Sequence, residues 1–527
     1  MFAQEISLAQ TQLDSASRPS QEADAADAKA RQLGAQMHAV VDELIGDVMR
    51  VYREHQPLHE LEVGTWPRLL QIGHQTLQML FTLLGTGDVG PTLVLEGRTL
   101  RRLAELHRRE FTCTFGEFAL ERHAYGTREN QQHECVPLDE RLALPDGKFS
   151  YLLQDWDQSE AMEMPFRRTR DTLQRILRLQ QHVDSLEQMN RRLAEQVEAF
   201  HQTQTVPPPE SEGAILVQTA DHKGVPLRHE ADRPAIADHD PQAADRSDRK
   251  RMATIVGVYT IDPCVRTPEQ VVESLFAEPN SRPQHESPRP KPKNKRLRAC
   301  LPHINALGEE IDGTAAMFGW LADETRSRNP DGLKTLLHLT DGEEQLVTER
   351  DLFQPDVTMI DILDFLHATP RVWSMGRLFC RGEKEREAFV KERVLRLLRG
   401  EVLSVVQGLR SLATRRKLGA KQRAEVERVC TYFETNAYRM KYDEYLAAGY
   451  PIASGVIEGA CRHVVKDRME RTGMGWAVAG AQAMLSLRCL WLSDCWDEYL
   501  AFRIEHETLA LHPHRAQLKE LTWATAI

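Results

Sequence analysis

Three apolar runs constrain this chain more than any other feature of it. AILVQTAD (214–221), the strand region KRMATIVGVYTID (250–262) and LKTLLHLTD (333–341) are short, rich in β-branched residues and bounded by turn signals. Such runs read as buried strands rather than as helical faces. PPPESEG at 207–213 marks a boundary just before the first of them. DVTMIDILDFLH at 356–367 reads as a short strand running into a helix. Residues 383–447 read as almost entirely helical, and further helices follow from Ser454 to about Ile504. The expected fold class of this part is α/β.

The preceding half reads differently. Residues 1–30, rich in Ala, Ser, Gln and Asp, are expected to be a disordered tail. A mainly helical region with a small β-hairpin is expected over 31–150. Met37, Val40, Val41, Leu44, Ile45 and Val48 carry helical spacing, and FTCTFGEFALERHAY alternates like paired strands with Gly116 and Glu117 at the turn. In the segment 151–205, Ile176, Leu179, Val183, Leu186, Asn190, Leu193, Val197 and Phe200 hold successive heptad positions. That permits a coiled coil with Asn190 fixing its register. It equally permits two helices broken near His182, the second capped by Ser185 with Gln188, as in a helix-turn-helix. An ordinary amphipathic helix packed on a core is the third possibility.

Composition limits the function classes. With 41% hydrophobic and 28% charged residues and no run near 20 apolar residues, no membrane partner is expected. MFAQEISLAQ lacks a basic flank followed by an apolar run, so no signal peptide is expected and the location should be cytoplasmic. Nine scattered cysteines without a CxxC pair fit reduced thiols; Cys135 with His133 could begin a metal site, but no second pair follows. The net charge of −11 does not by itself oppose a nucleic-acid partner, because binding depends on local patches. Basic residues cluster at 246–251, 289–298 and 414–423, and the Pro- and Lys-rich stretch 278–297 reads as a mobile basic loop.

Two of the strands end in aspartates, Asp221 and Asp341, each leading into a turn; a third acid, Glu458, begins an apolar-faced helix. Strand-end carboxylates converge at one edge of an α/β sheet. Three meeting there raise one another's pKa unless cations intervene, and hard oxygen ligands suit Mg²⁺ or Mn²⁺, two ions serving an in-line phosphoryl displacement. Ordinary turn chemistry accounts equally for Asp-Gly after a strand. Beyond Glu458, helical spacing would put Arg462 and Lys466 on the face of that acid, with Arg468 and Arg471 following, a surface for DNA phosphates or simply a solvated face.

ILVQTADHKGVPLR, KRMATIVGVYTIDPCVRTPEQVV, LHLTDGEEQL, DILDFLHA and above all SGVIEGACRHVVKDRMERTGMGW, in order between about residues 90 and 505, resemble the ISKra group of insertion-sequence transposases, relatives of the Mutator-like DDE enzymes. The resemblance implies an RNase H-like catalytic core in two parts, 211–375 and 451–505, around an all-helical insertion at 376–450, with 506–527 as a C-terminal tail. It implies a DDE triad of Asp221, Asp341 and Glu458, and an accessory motif ending in His, here Asp364 to His367. It also tips 151–205 toward a DNA-binding helix-turn-helix. The implied partners are double-stranded DNA, as element ends and target, and a second copy of the chain, in a nucleoid-associated setting. Asp221-His222 departs from the Asp-Gly of relatives, and only Cys135 stands where relatives often carry a cysteine pair after the tyrosine matching Tyr125. Two other expectations stay open: a transposase-derived DNA binder with a dead site, and an RNase H-like DNA nuclease.

Overall fold

The computed structural model describes residues 2–128, 134–228, 250–277, 289–305, 308–453, 455–471 and 474–519, with the side chains of 2–23, Ile457 and Glu458 outside that description. The chain divides into two compact units, Met1–Met189 with Glu498–Ile527, and Asn190–Asp497. No helix among the described residues is long and apolar enough to cross a membrane.

In the first unit two helices, α1 (Phe2–Glu54) and α2 (Leu58–Leu84), pack on one another and are tied by Arg68 and Asp47 at 2.7 Å. The backbone is thus helical over 2–30, within the segment 1–30 expected to be disordered; Ala, Gln and Glu there are strong helix formers, and local propensity outweighs the lack of apolar periodicity. Three antiparallel strands follow, β1 (Thr92–Leu95), β2 (Arg98–Cys113) and β3 (Gly116–Gly126). Cys113 pairs with Gly116, so the two-residue turn is Thr114–Phe115, two residues earlier than the sequence suggests. Phe111, Phe118 and Leu120 of this hairpin pack with Phe81 of α2.

Helices α3 (Pro137–Leu142), α4 (Tyr151–Glu163), α5 (Phe166–Leu177) and α6 (Val183–Ala194) complete the run. Arg178 ends α5 in the left-handed region at φ 60°, so the heptad pattern is not one continuous coiled coil but two helices with a break at 178–182. The break falls where the helix-turn-helix alternative puts it, but Ser185 lies inside α6 and does not cap it. Within 506–527, Arg515–Leu518 is helical, and Leu518 is buried against Leu93, Leu95, Leu100 and Tyr125 because its side chain completes that apolar cluster. Cys135 is a buried free thiol, and His133 lies outside the described residues.

Asp157 of α4 is fully buried; burial pushes its carboxyl up to about 7 despite a hydrogen bond from Gln181 at 2.7 Å. A raised carboxyl favours the neutral form in the fold, so its contribution is intact at low pH and is lost as pH climbs from about 4 toward 7. Asp157→Asn is therefore expected to raise the urea midpoint at pH 8 by about 1 kcal/mol equivalent, with no gain at pH 4. A loss at pH 8 would contradict the burial argument.

The second unit starts within α6 and continues through α7 (Val197–Thr203) into a five-stranded mixed sheet. Its strands are β4 (Ile215–Pro226), β5 (Lys250–Ile261), β6 (Lys293–Cys300), β9 (Thr335–Thr340) and β10 (Ile360–Leu363), with a small separate hairpin of β7 (His303–Ile304) and β8 (Glu310–Ile311). The order is β10-β9-β4-β5-β6; β4, β9 and β10 are parallel, while β5 and β6 add antiparallel. The stretch expected to be a basic loop is therefore a sheet edge from Lys293 onward, since Arg296 and Arg298 find acid partners in Glu324 and Glu198; residues 278–288 lie outside the described residues.

Both faces of the sheet are covered, which is why β4, β5 and β9 bury residues on both sides of the sheet. Alternate residues such as Leu216, Ala220 and Val256 meet α9 (Gly313–Arg328) and α10 (Glu344–Phe353) through Phe318, Leu321 and Leu346. The others, Ile215, Val217, Leu337 and Leu339, meet an all-helical layer of α11 (Phe365–Phe379), α12 (Glu383–Leu398), α13 (Val402–Arg415), α14 (Ala420–Thr435) and α15 (Tyr442–Ala447). The helical stretch read at 383–447 lies in this layer.

Candidate active site

Sheet register brings three aspartates into one row. Ala220 is paired with Thr340, and Thr340 with Leu363, so the next residues on the three parallel strands are Asp221, Asp341 and Asp364. Neighbouring strands lie about 4.8 Å apart. By strand alternation Asp221 and Asp341 share the face of Val217 and Leu339, beneath the helical layer. Asp221 does not end its strand: β4 runs on to Pro226 because β5 continues to pair with it as far as Lys250. It is β9 that stops here, and its end exposes the row.

Burial pushes the Asp221 carboxyl up, a hydrogen bond with the Cys461 thiol partly offsets this, and the nearby charge of Asp341 pushes it up further. Asp341 accepts from the Glu343 amide at 2.8 Å, closing the turn. Among the described residues neither Asp221 nor Asp341 is ion-paired with a lysine or arginine. Two carboxylates so placed, with no lysine or arginine paired to either among the described residues and His367 the nearby group whose charge acts on Asp221, are a donor set that fits a hard divalent ion. No group of three metal-capable side chains is present among the described residues, and the expected third acid falls outside that set: Glu458 lies in helix α16 (Gly455–Ala460), but its side chain is not described.

Asp364 is wholly buried and caps α11, accepting from the Leu366 amide at 2.7 Å. His367, one turn on, stands 3.7 Å from Asp364. Asp364, with Asp341 and Asp221 further off, raises its pKa against the effect of burial. The accessory motif is therefore part of the same acidic row. His222, the departure from Asp-Gly, sits in extended strand paired with Thr254, so no positive φ demands glycine there. Its ring nitrogen lies 2.9 Å from Glu343, tying β4 to the turn that carries Asp341.

The basic residues after Glu458 do not follow the expected helical face. Cys461–Lys466 is a π-helix, in which hydrogen bonds step five residues rather than four, so Arg462 and Lys466 cannot be placed by α-helical spacing. Arg462, Lys466 and Arg471 are exposed, and Arg462 and Arg471 lean on Asp467. Arg468 is buried with its guanidinium 5.0 Å from the Trp476 ring centre, so it is not part of a phosphate-facing surface; Trp476, 8 residues later, supplies a better environment for its planar face than water.

Sequence reasoning missed Cys461, Arg371 and Tyr432. Arg371 lies over the Tyr432 ring at 3.4 Å, and that ring fills the space where a Cβ of Gly342 would stand, 2.2 Å from its nearest atom. The one available signal was Gly342 beside Asp341, read as turn chemistry; its requirement is close approach rather than φ. In comparisons with known proteins, no family model and no curated protein matches this chain.

Proposed function

We propose that this chain is a DDE-type DNA transposase with an RNase H-like catalytic core. The observation that carries the reading is the placement of Asp221 beside Asp341 on adjacent parallel strands, with no lysine or arginine paired to either among the described residues and with Asp364 and His367 in the same row. The mixed sheet supports it, with a central strand flanked by two antiparallel strands on one side and two parallel strands on the other. The helical layer between β10 and α16 supports it too, as does the motif resemblance over most of the chain. In this reading Asp221, Asp341 and Glu458 hold two Mg²⁺ or Mn²⁺ ions. Bound there, such ions neutralise charge on the attacking and leaving oxygens of an in-line displacement.

The chain's own residues have distinct tasks. Asp221 and Asp341 give the charge that selects a divalent cation, and the Glu343 amide holds Asp341 in place. Asp364 fixes the start of α11 and orients His367 toward the acids. Arg462, Lys466 and Arg471 face solvent where a DNA backbone can be met. Double-stranded DNA is the substrate, first as an element end and then as target. Exposed Arg167, Arg168 and Arg175 on α5 support end recognition by the first unit. Two ends imply at least two copies of the chain.

The test is purified protein with element-end DNA and Mg²⁺ or Mn²⁺. Metal-dependent cutting followed by joining to target is the expected result. Cutting without joining would replace the transposase with a nuclease, and sequence-specific binding with no chemistry would replace it with an inactive DNA binder.

A further inference from the structure

We infer that Arg371 and Tyr432, both outside the acidic row, form a donor pair that binds the non-bridging oxygens of the reacting phosphodiester. The inference rests on the transposase reading and names the part of the substrate these residues meet.

Three observations carry it. The Tyr432 hydroxyl is buried yet has no hydrogen-bond partner among the described residues. It points at the turn after Asp341, since a Cβ on Gly342 would lie 2.6 Å from it. Buried hydroxyls are almost always partnered, so an orphan beside a candidate site marks a group kept for a ligand. Arg371, meanwhile, stands 3.4 Å from the centre of the same ring and uses one nitrogen on the His367 carbonyl at 2.7 Å. Its remaining donors have no partner among the described residues.

The neighbouring Arg439 shows what a structural guanidinium looks like in the same place. It is 2% exposed and spends its nitrogens on the Asn436 side chain at 2.8 and 2.6 Å and on Thr340 at 3.3 Å. Arg371 is half-buried, held by stacking and a single carbonyl, and retains a free fork. A planar fork with unused donors suits a phosphate. A phosphodiester drawn to cations at Asp221 and Asp341 would present its non-bridging oxygens beside the Gly342 turn, where the Tyr432 hydroxyl sits. Donors fixed there stabilise charge that grows in the in-line transition state.

Gly342 follows from the same arrangement, because any side chain at 342 displaces the ring that carries both donors. Tyr432→Phe removes only the hydroxyl and keeps the ring, the stack and the packing on Gly342. It is expected to lower the single-turnover cleavage rate of element-end DNA about 10-fold. Arg371→Ala is expected to lower it about 100-fold. Duplex affinity measured in Ca²⁺ and the melting temperature should stay near wild type for Tyr432→Phe. Replacing one non-bridging oxygen of the scissile phosphate with sulfur should slow wild type more than Tyr432→Phe, a difference that mere packing does not produce. Active wild type with both variants cutting at its rate overturns this inference and leaves the transposase reading standing. A wild type that binds the DNA but never cuts it overturns the reading beneath it.

Discussion

Asp341→Asn is expected to lower metal-dependent DNA cleavage and joining by roughly 10³-fold or more while leaving the fold and DNA binding in place. The substitution is nearly isosteric, and the amide oxygen can still accept from the Glu343 backbone as Asp341 does at 2.8 Å. The turn therefore keeps its shape, and Gly342 keeps the Tyr432 ring against it. What disappears is one of two carboxylate charges that face each other across adjacent strands. Mn²⁺ affinity should fall together with cleavage, and the melting temperature should hold or rise, because a like-charge repulsion is relieved. A variant that cuts within about 10-fold of wild type would remove Asp341 from the chemistry. Asp221→Asn should behave alike, with the added loss of the charged acceptor for the Cys461 thiol.

Why some of this was legible in the sequence and some was not follows from where each signal resides. The strands β4, β5, β9 and β10 announce themselves because burial on both faces demands unbroken apolar runs. Asp341 is legible as a strand end because the chain itself turns there. Asp221 is not a strand end, and it comes to lie beside Asp341 because its neighbour β9 ends there. Nothing local in ILVQTADHKGVP records how far β5 will follow it.

Longer-range features left weaker marks. The π-helix at Cys461–Lys466 breaks the spacing on which the basic-face argument stood, and periodicity alone carries no sign of it. Arg468 reads as a surface cation until Trp476 covers it. Arg371 and Tyr432 lie 61 positions apart (432 − 371) and meet only because α11 and α14 pack together. In the first unit, the heptad spacing from Ile176 to Phe200 fits a long helix as well as a broken one. The left-handed turn at Arg178 decides between them, and arginine gives no warning of it.

The opposite end of β4 gives the second large expected effect: Glu212→Ala should destabilise the second unit by about 3–5 kcal/mol. Glu212 stands just before β4, in the segment that reads only as a domain boundary, and it is 2% exposed at its side chain. Burial alone would push its carboxyl up; the hydrogen bond and charge of Arg328 overcome that and hold it below its usual value. Asn294 donates to it at 3.1 Å, and Lys334 lies 3.4 Å away. Removing the acid leaves the Arg328 guanidinium, whose side chain has no solvent exposure, with only the more distant Glu324 at 3.5 Å as counter-charge. A depressed carboxyl contributes stability that is present above its unfolded value of about 4.5 and is lost as pH falls through the lower folded value. The gap in urea midpoint between wild type and Glu212→Ala should thus be wide at pH 7 and narrow as pH falls below the unfolded value of about 4.5. A variant with the wild-type midpoint at pH 7 would sink the argument. The contrast along one strand is what gives the comparison its force. The carboxylate before β4 is met by protein cations and should govern stability with no direct part in metal affinity. Among the described residues no lysine or arginine pairs with Asp221 or Asp341, and removing one of these carboxylates should cost chemistry while sparing the fold.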